Sequence, residues 1–407
     1  MGKKLKKIKI NKFWKNIFKN RPLMVLVVVL ILAGIFSSPK MQQYFKATGS
    51  NAAGIDLGGG IGLGGGEIGN STPVNLIFSP ETKIEGLHDV SELADAYGDY
   101  VLFCGRHYPH GYFQNDLFLY NVKTKAPAEP ITDTVENECS NWNASNQFGK
   151  KAAIYGSSIA YISSISRLHT YNISSKVDTE VDIYNENGQS LSTFGLDLFR
   201  DQVILSLQLD PFHAPQIWSY RIGDNEAVQL SNALLGRARP AIQQNNYIWT
   251  DNQDVFNGNT NIYLGKIGSI MEKQISDSSS GKNDFGDIWG NKIVWNNWTA
   301  SEGRKIRLYD AVSGTTKTIG SDLKDSQVRP LTVGNRFVLF TNLIFDTAST
   351  AIYLYDNKYD KLYNLTGDST NLVGNNGKIW WQSNNSLYIY YERYNEGVYM
   401  QKVSILN

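Results

Sequence analysis

KIVWNN (292–297) with KIRLYD (305–310), and RFVLFT (336–341) with AIYLYD (351–356), are two copies of one pattern. Each copy is a short apolar run, a polar loop, and an aliphatic segment that ends in Tyr-Asp. Weaker copies end in Tyr-Asp or Tyr-Asn. Counting outward from the first apolar residue gives anchors at Tyr100, Ile159, Val203, Tyr247, Ile293, Phe337 and Leu387, with spacings of 59, 44, 44, 46, 44 and 50. Seven strand-like units at a period of about 40–50 residues predict an all-β, seven-bladed β-propeller of four-stranded blades.

Each unit divides into four strands. In the unit near Arg239 these are RPAIQ (239–243), NYIWTD (246–251), NIYLGKI (261–267) and EKQIS (272–276). Pro240 and Pro330 stand at equivalent places, seven residues before Tyr247 and Phe337. The second strands are continuous apolar runs, as expected where neighbouring blades cover both faces of a strand. Gly290-Asn291, Gly334-Asn335 and Asn245-Asn246 precede them and suit tight hairpins. The seventh unit has LYIYYERY (387–394) and VYMQKVSI (398–405) but no fourth strand, and VNLIF (74–78) is the one apolar strand left to complete it. Closure of that kind removes a raw sheet edge.

The order strand 2, polar loop, I-x-L-Y-D, short hairpin (AVSGTT at 311–316, NKYDKL at 357–362) resembles the TolB-like β-propeller repeats of exported bacterial and archaeal proteins. The resemblance covers about 74–407 and is strongest at 293–310 and 337–356. It implies a propeller fold. The S-P-D-G turn of those repeats is replaced here by WGN, VGN or QNN, and the separate α/β domain of TolB is absent.

The net charge of +1 conceals an asymmetry. Residues 1–21 hold nine Lys or Arg and no acid, which leaves the remainder, with 30 basic and 38 acidic residues, at −8. A mildly acidic body argues against a nucleic-acid partner, which needs a clustered basic surface. Residues 22–36 (PLMVLVVVLILAGIF) form an uncharged apolar run, extended to 38 by two serines. As a helix it would span roughly 25 Å, near the hydrocarbon thickness of a bilayer. No lipoprotein cysteine follows it. The expectation is an uncleaved single-pass signal-anchor helix over 22–38, the basic tail 1–21 in the cytoplasm and everything beyond outside. Residues 39–73, with GIDLGGGIGLGGGEIG (54–69), read as a Gly-rich flexible linker. The G-x-G-x-x-G matches there follow no strand and open no helix, so they make no dinucleotide site. The propeller occupies 74–407, closed by strand 74–78.

In such a blade, the strand 2–3 loops and the inter-blade connections emerge on one face, and here they are the long, varied ones. Binding residues concentrate on such loops. Cys104 and Cys139 reach this face, and two cysteines in an exported chain favour a disulfide pinning the insertion behind the spacing of 59. His107 and His110 form H-x-x-H, and Asp210 and His213 occupy the equivalent loop of the third unit. Imidazole and carboxylate together suit a transition metal. Asp251 and Asp254, in DNQD, offer hard oxygen donors suited to calcium or another divalent metal, beside the simpler reading of an Asx-rich turn. No other cofactor is implied. Tyr108, Tyr112, Phe113 and Trp298 are aromatic candidates for stacking on sugars or anchoring a peptide.

Three functional classes follow. The first is a membrane-anchored, extracytoplasmic, non-catalytic binding or scaffolding module for a glycan, cell-wall or protein ligand. The second is a propeller-type polysaccharide lyase or glycosidase, which needs metal ligands or facing carboxylates converging across blades. The third is a structural subunit of an envelope complex. A peptidase is disfavoured, because no G-x-S-x-G nucleophile elbow occurs.

Overall fold

All seven anchors fall in the second strand of a four-stranded antiparallel sheet. The computed structural model describes residues 76–84, 90–107, 114–132, 139, 150–163, 166–183, 192–209, 213–233, 236–254, 259–277, 281–323, 326–344, 349–367, 377–383, 385–393 and 397–406. Among these, no helix is long and apolar enough to cross a membrane. The tail 1–21, the run 22–38 and the linker 39–73 lie outside the described residues.

Each sheet is one blade of a propeller, with strands 1 to 4 ordered from the inside outward. The innermost strands are Val90–Tyr97, Ala152–Tyr155, Ser192–Phe199, Arg237–Gln243, Lys282–Trp289, Ser326–Val333 and Lys378–Ser383, for blades 1 to 7. Each contacts the next around the ring, and the seventh contacts the first. Strand 4 of blade 7 comes from the other end of the chain: Leu76–Phe78 pairs antiparallel with Gly397–Ile405, with Leu76 opposite Ile405 and Phe78 opposite Val403. Thr82–Lys83 continues along the same strand, opposite Met400 and Tyr399.

The core is distributed between blades. Val203, Leu205 and Leu207 of blade 3 pack on Ala153, Ala160 and Leu168 of blade 2. Phe337 and Leu339 of blade 6 pack on Leu387, Ile389 and Tyr391 of blade 7, with Leu76 and Phe78 alongside. Leu93 and Val101 of blade 1 pack on Tyr390 and Val398 of blade 7, across the closure. Burying one such aliphatic or aromatic side chain contributes roughly 1.5–3 kcal/mol. This is the physical reason that strand 2 carries the clearest repeat signal: both of its faces are inside.

The Tyr-Asp and Tyr-Asn endings also have a structural cause. Strands 1–2 and strands 3–4 are joined by hairpins on one face of the ring, and the acid or amide at the end of strand 3 ties those hairpins down. Asp310 accepts from Val312 N at 3.0 Å, from Asn291 Nδ2 at 3.0 Å and from Lys292 Nζ at 2.7 Å. Asp356, fully buried, accepts from Arg336 Nε and Nη2 at 2.9 and 2.6 Å and from Lys358 N at 3.0 Å. Asn121 and Asn172 cap the following turns by accepting two backbone N–H groups each, as Asx residues do in turns. Gly290 in the strand 1–2 hairpin of blade 5 has φ +58°, and a Cβ there would meet the Asn335 side chain of the next blade at 2.3 Å. The left-handed φ favours glycine, and a side chain there would have to displace that of Asn335.

Candidate functional site: a charged belt in the central channel

The channel is lined by strand 1 of every blade, and these strands are not regular. Register shifts interrupt them between Leu93 and Asp95, Thr193 and Leu196, Ala238 and Ala241, Asp284 and Asp287, and Val328 and Leu331. In blades 3 to 6 two residues oppose one, which is a β-bulge. Gly195, Arg239, Phe285 and Arg329, each four residues before the end of its strand, have φ of 114°, 54°, 51° and 51°. A left-handed backbone costs a non-glycine residue roughly 1–2 kcal/mol. The bulges turn Arg239, Arg329 and Phe285 into the wall of one cavity of about 140 Å³, together with Lys150, Lys151 and Lys378.

A carboxylate stands at one position of every odd blade up to the fifth. Asp95, Asp197 and Asp287 each lie two residues before the end of strand 1; the even blades have Ala153, Ala241 and Leu331 there. Each of the three aspartates reaches across to the next blade. Asp95 Oδ2 accepts from Ile154 N at 3.0 Å, Asp197 Oδ2 from Ile242 N at 2.9 Å, and Asp287 Oδ2 from Thr332 N at 2.7 Å. Strand 1 is the inner edge of its sheet, so these N–H groups have no ladder partner, and a buried orphan donor is costly. The carboxylates therefore clasp blades in pairs: 1 to 2, 3 to 4, and 5 to 6. The junction of blades 7 and 1 uses a different donor and acceptor pair, Leu93 N to Glu392 Oε1.

Cations complete the belt. Lys150 Nζ lies 2.8 Å from Asp95 Oδ2 and 2.9 Å from Asp197 Oδ1, so one ammonium joins blades 1, 2 and 3. Burial opposes the charge on Lys150, yet Asp197 and Asp95 outweigh it and hold its pKa well above the ordinary lysine value. Arg239 pairs with Asp284 at 3.3 Å and lies over the Phe285 ring at 4.1 Å. Burial lowers Arg239 and raises Asp284 despite that attraction, the mark of a desolvated pair. Lys151 donates to the Thr193 carbonyl at 2.5 Å, and burial brings its pKa down to about 8. Asp287 is pushed up to about 7, chiefly by burial, against the Thr332 N–H and with the nearby Asp197 charge adding to it.

Toward the hairpin face the channel is narrowed by rings. Trp380 and Tyr97 stand 3.9 Å apart between centroids, Tyr97 and Tyr155 4.4 Å, and Tyr155 and Phe199 4.7 Å, a continuous aromatic arc over blades 7, 1, 2 and 3. The charged belt lies on the loop-face side of that arc.

Of the residues singled out in the sequence, those described lie elsewhere, on the loop face or its approaches. Tyr108, His110, Tyr112, Phe113 and Asp210 are outside the described residues, as are the side chains of His107 and Asp254. His107 ends strand 2 of blade 1, opposite Gln114. His213 is exposed, and its carbonyl accepts from Gln208 Nε2 at 2.8 Å. Trp298 is 42% exposed near the loop end of strand 2 in blade 5, with Lys282 Nζ 5.9 Å from its ring. Asp251 is 1% exposed and sits 3.6 Å from Arg237 Nε, a guanidinium that also holds Glu272 and lies over Trp249. Its charge thus serves an internal network. Cys104 and Cys139 are joined in a disulfide with Cα atoms 6.0 Å apart. Among the described residues, no three metal-ligating side chains converge.

No protein-family model matches the sequence, and no curated protein matches it. Solved structures do. The oligogalacturonate lyase from Vibrio parahaemolyticus is similar over 81% of this chain and 97% of its own, with TM-score 0.51 and 9% identity. The β-propeller domain of the Trilobed protease from Pyrococcus furiosus, which has an open velcro topology, is similar over 78% of this chain and 98% of its own, with TM-score 0.55 and 12% identity. The likeness is one of fold. TolB proteins are among the similar structures too; that from Acinetobacter baumannii has TM-score 0.42 and 12% identity over 75% of this chain and 80% of its own. The present ring is closed by pairing of Leu76–Phe78 with the last strand.

Proposed function

We propose that this chain is a membrane-anchored, extracytoplasmic propeller that acts as a non-catalytic binding or scaffolding module. Its ligand is a glycan, cell-wall fragment or protein taken on the loop face. The observation that carries this reading is the use made of the channel carboxylates. Asp95, Asp197 and Asp287 each hold the backbone of the next blade, and two of them share Lys150. Acids committed to holding the ring together are poorly placed for general acid–base work, which needs groups free to exchange protons with a substrate. Recognition then falls to the loop face, where Trp298, at the loop end of strand 2 in blade 5, and His213 are exposed. The test is a screen of the full chain against glycans, wall fragments and envelope proteins, with and without calcium and zinc; saturable binding supports the proposal.

A second reading, a polysaccharide lyase or glycosidase working inside the channel, draws on Asp287. It is the one clasp aspartate that Lys150 does not pair with directly, and its pKa of about 7 suits proton transfer near neutrality. Turnover of an acidic or neutral oligosaccharide, lost in Asp287→Asn, would favour it.

A further inference from the structure

Large apolar side chains on the surface are concentrated on the hairpin face. Of the eight exposed among the described residues, five are Val177, Val228, Ile270, Met271 and Val312. All five stand at strand 3–4 hairpins, one or two in each of the consecutive blades 2, 3, 4 and 5. Ile270 is 94% exposed and Val312 78%. Scattered apolar residues on a surface are ordinary; five on one rim, at hairpin tips that would tolerate any polar residue, are not.

The same face receives the chain. Leu76 pairs with Ile405, the last residue of strand 3 in blade 7, so the described chain enters the ring at its hairpin edge. Blade 7 is across the ring from blades 3 and 4. A tether at one edge and apolar tips at the opposite edge are the contacts that would lay the disc flat on a surface.

We infer that the hairpin rim of blades 2 to 5 seats on the outer leaflet of the membrane, with Val177, Val228, Ile270, Met271 and Val312 entering the interface between headgroups and acyl chains. This rests on the reading of 22–38 as a membrane anchor. The form of the surface favours lipid over a protein partner. The apolar residues are separate tips interrupted by exposed charges of both signs, Lys176 and Lys273 as well as Asp224 and Glu226, without the continuous close-packed patch that a stable protein interface requires. Side chains that enter a bilayer interface need only apolar tips beside cationic and polar neighbours. Seating of this kind turns the loop face, with Trp298, away from the membrane and toward a ligand.

The test uses the full chain in phosphatidylcholine vesicles, with an environment-sensitive fluorophore on Met271→Cys, on Val312→Cys, or on Trp298→Cys as the opposite-face control. The native cysteines are disulfide-bonded and do not compete for label. Co-flotation with vesicles reports the anchor; quenching by nitroxide-bearing lipid reports the seating. The expected result is flotation of all three, with labels at 271 and 312 quenched at least threefold more than the label at 298. Flotation with equal, weak quenching at all three positions overturns the seating while leaving the anchor intact. Energy transfer between labelled copies at 271 without lipid quenching also overturns it, in favour of a second copy of the chain. A chain that does not float removes the anchor and the seating together.

Discussion

The ammonium of Lys150 in blade 2 lies 2.9 Å from Asp197 Oδ1 in blade 3, and the same nitrogen reaches Asp95 of blade 1. One side chain thus bridges two carboxylates that are themselves holding blades together. Breaking a buried pair is costly because the partner charge is left behind.

Lys150→Met should therefore destabilise the ring more than a lost methylene contact would. The expected loss is about 3 kcal/mol, read as a lower midpoint in urea unfolding with unchanged slope. Combining it with Asp95→Asn and Asp197→Asn should restore part of that loss, since no uncompensated charge then remains. A single variant as stable as the parent would show that the bridge has no structural weight.

Asp287 gives a pH signature. Its folded-state pKa of about 7 lies above the value of 3.8 expected in the unfolded chain, so the folded state binds the extra proton. Its contribution to stability is fully present below pH 3.8 and is lost as pH rises through 7. Asp287→Asn keeps an oxygen able to accept from Thr332 N but carries no charge. It should flatten the pH dependence of unfolding between pH 4 and 8 and add on the order of 2 kcal/mol at pH 8, discounted for water reaching a partly buried residue. Parallel pH profiles for the two proteins would contradict this.

The disulfide closes a loop with a sequence separation of 35 between Cys104 and Cys139. Loop-closure entropy alone assigns it about 3–4 kcal/mol. Replacing both cysteines by serine should lower the thermal midpoint accordingly, and reductant should lower the midpoint of the parent but not of the variant.

Strand 2 was legible because its apolar chemistry repeats in every blade, as in the buried Ile293, Val294 and Trp295, and the end of strand 3 because Asn121, Asn172, Asp310 and Asp356 tie equivalent hairpins. Strand 1 was legible at RPAIQ (239–243) and at Arg329-Pro330, which fall in Arg237–Gln243 and Ser326–Val333, but its bulges were not. Arg239-Pro240 and Arg329-Pro330 stood out as a repeated pair, but the same bulge in blade 5 is Phe285-Gly286, so no shared residue announces it. The extra residue also breaks the period of two on which a strand reading depends. The clasp aspartates repeat every second blade, a period that a search for single-blade repeats passes over. The sequence pattern therefore points to the loop face and not to the channel belt of Asp95, Lys150, Asp197 and Asp287.

The most direct test of the proposed function compares the two faces of the question in one assay: binding of the full chain to glycan, wall-fragment and envelope-protein arrays by the parent, by Trp298→Ala with His213→Ala, and by Asp287→Asn. The expected result is saturable binding that weakens at least tenfold in the loop-face variant and is unchanged in Asp287→Asn. Binding or substrate cleavage that survives loss of Trp298 and His213 but disappears in Asp287→Asn would contradict a loop-face binding module and place the function in the channel.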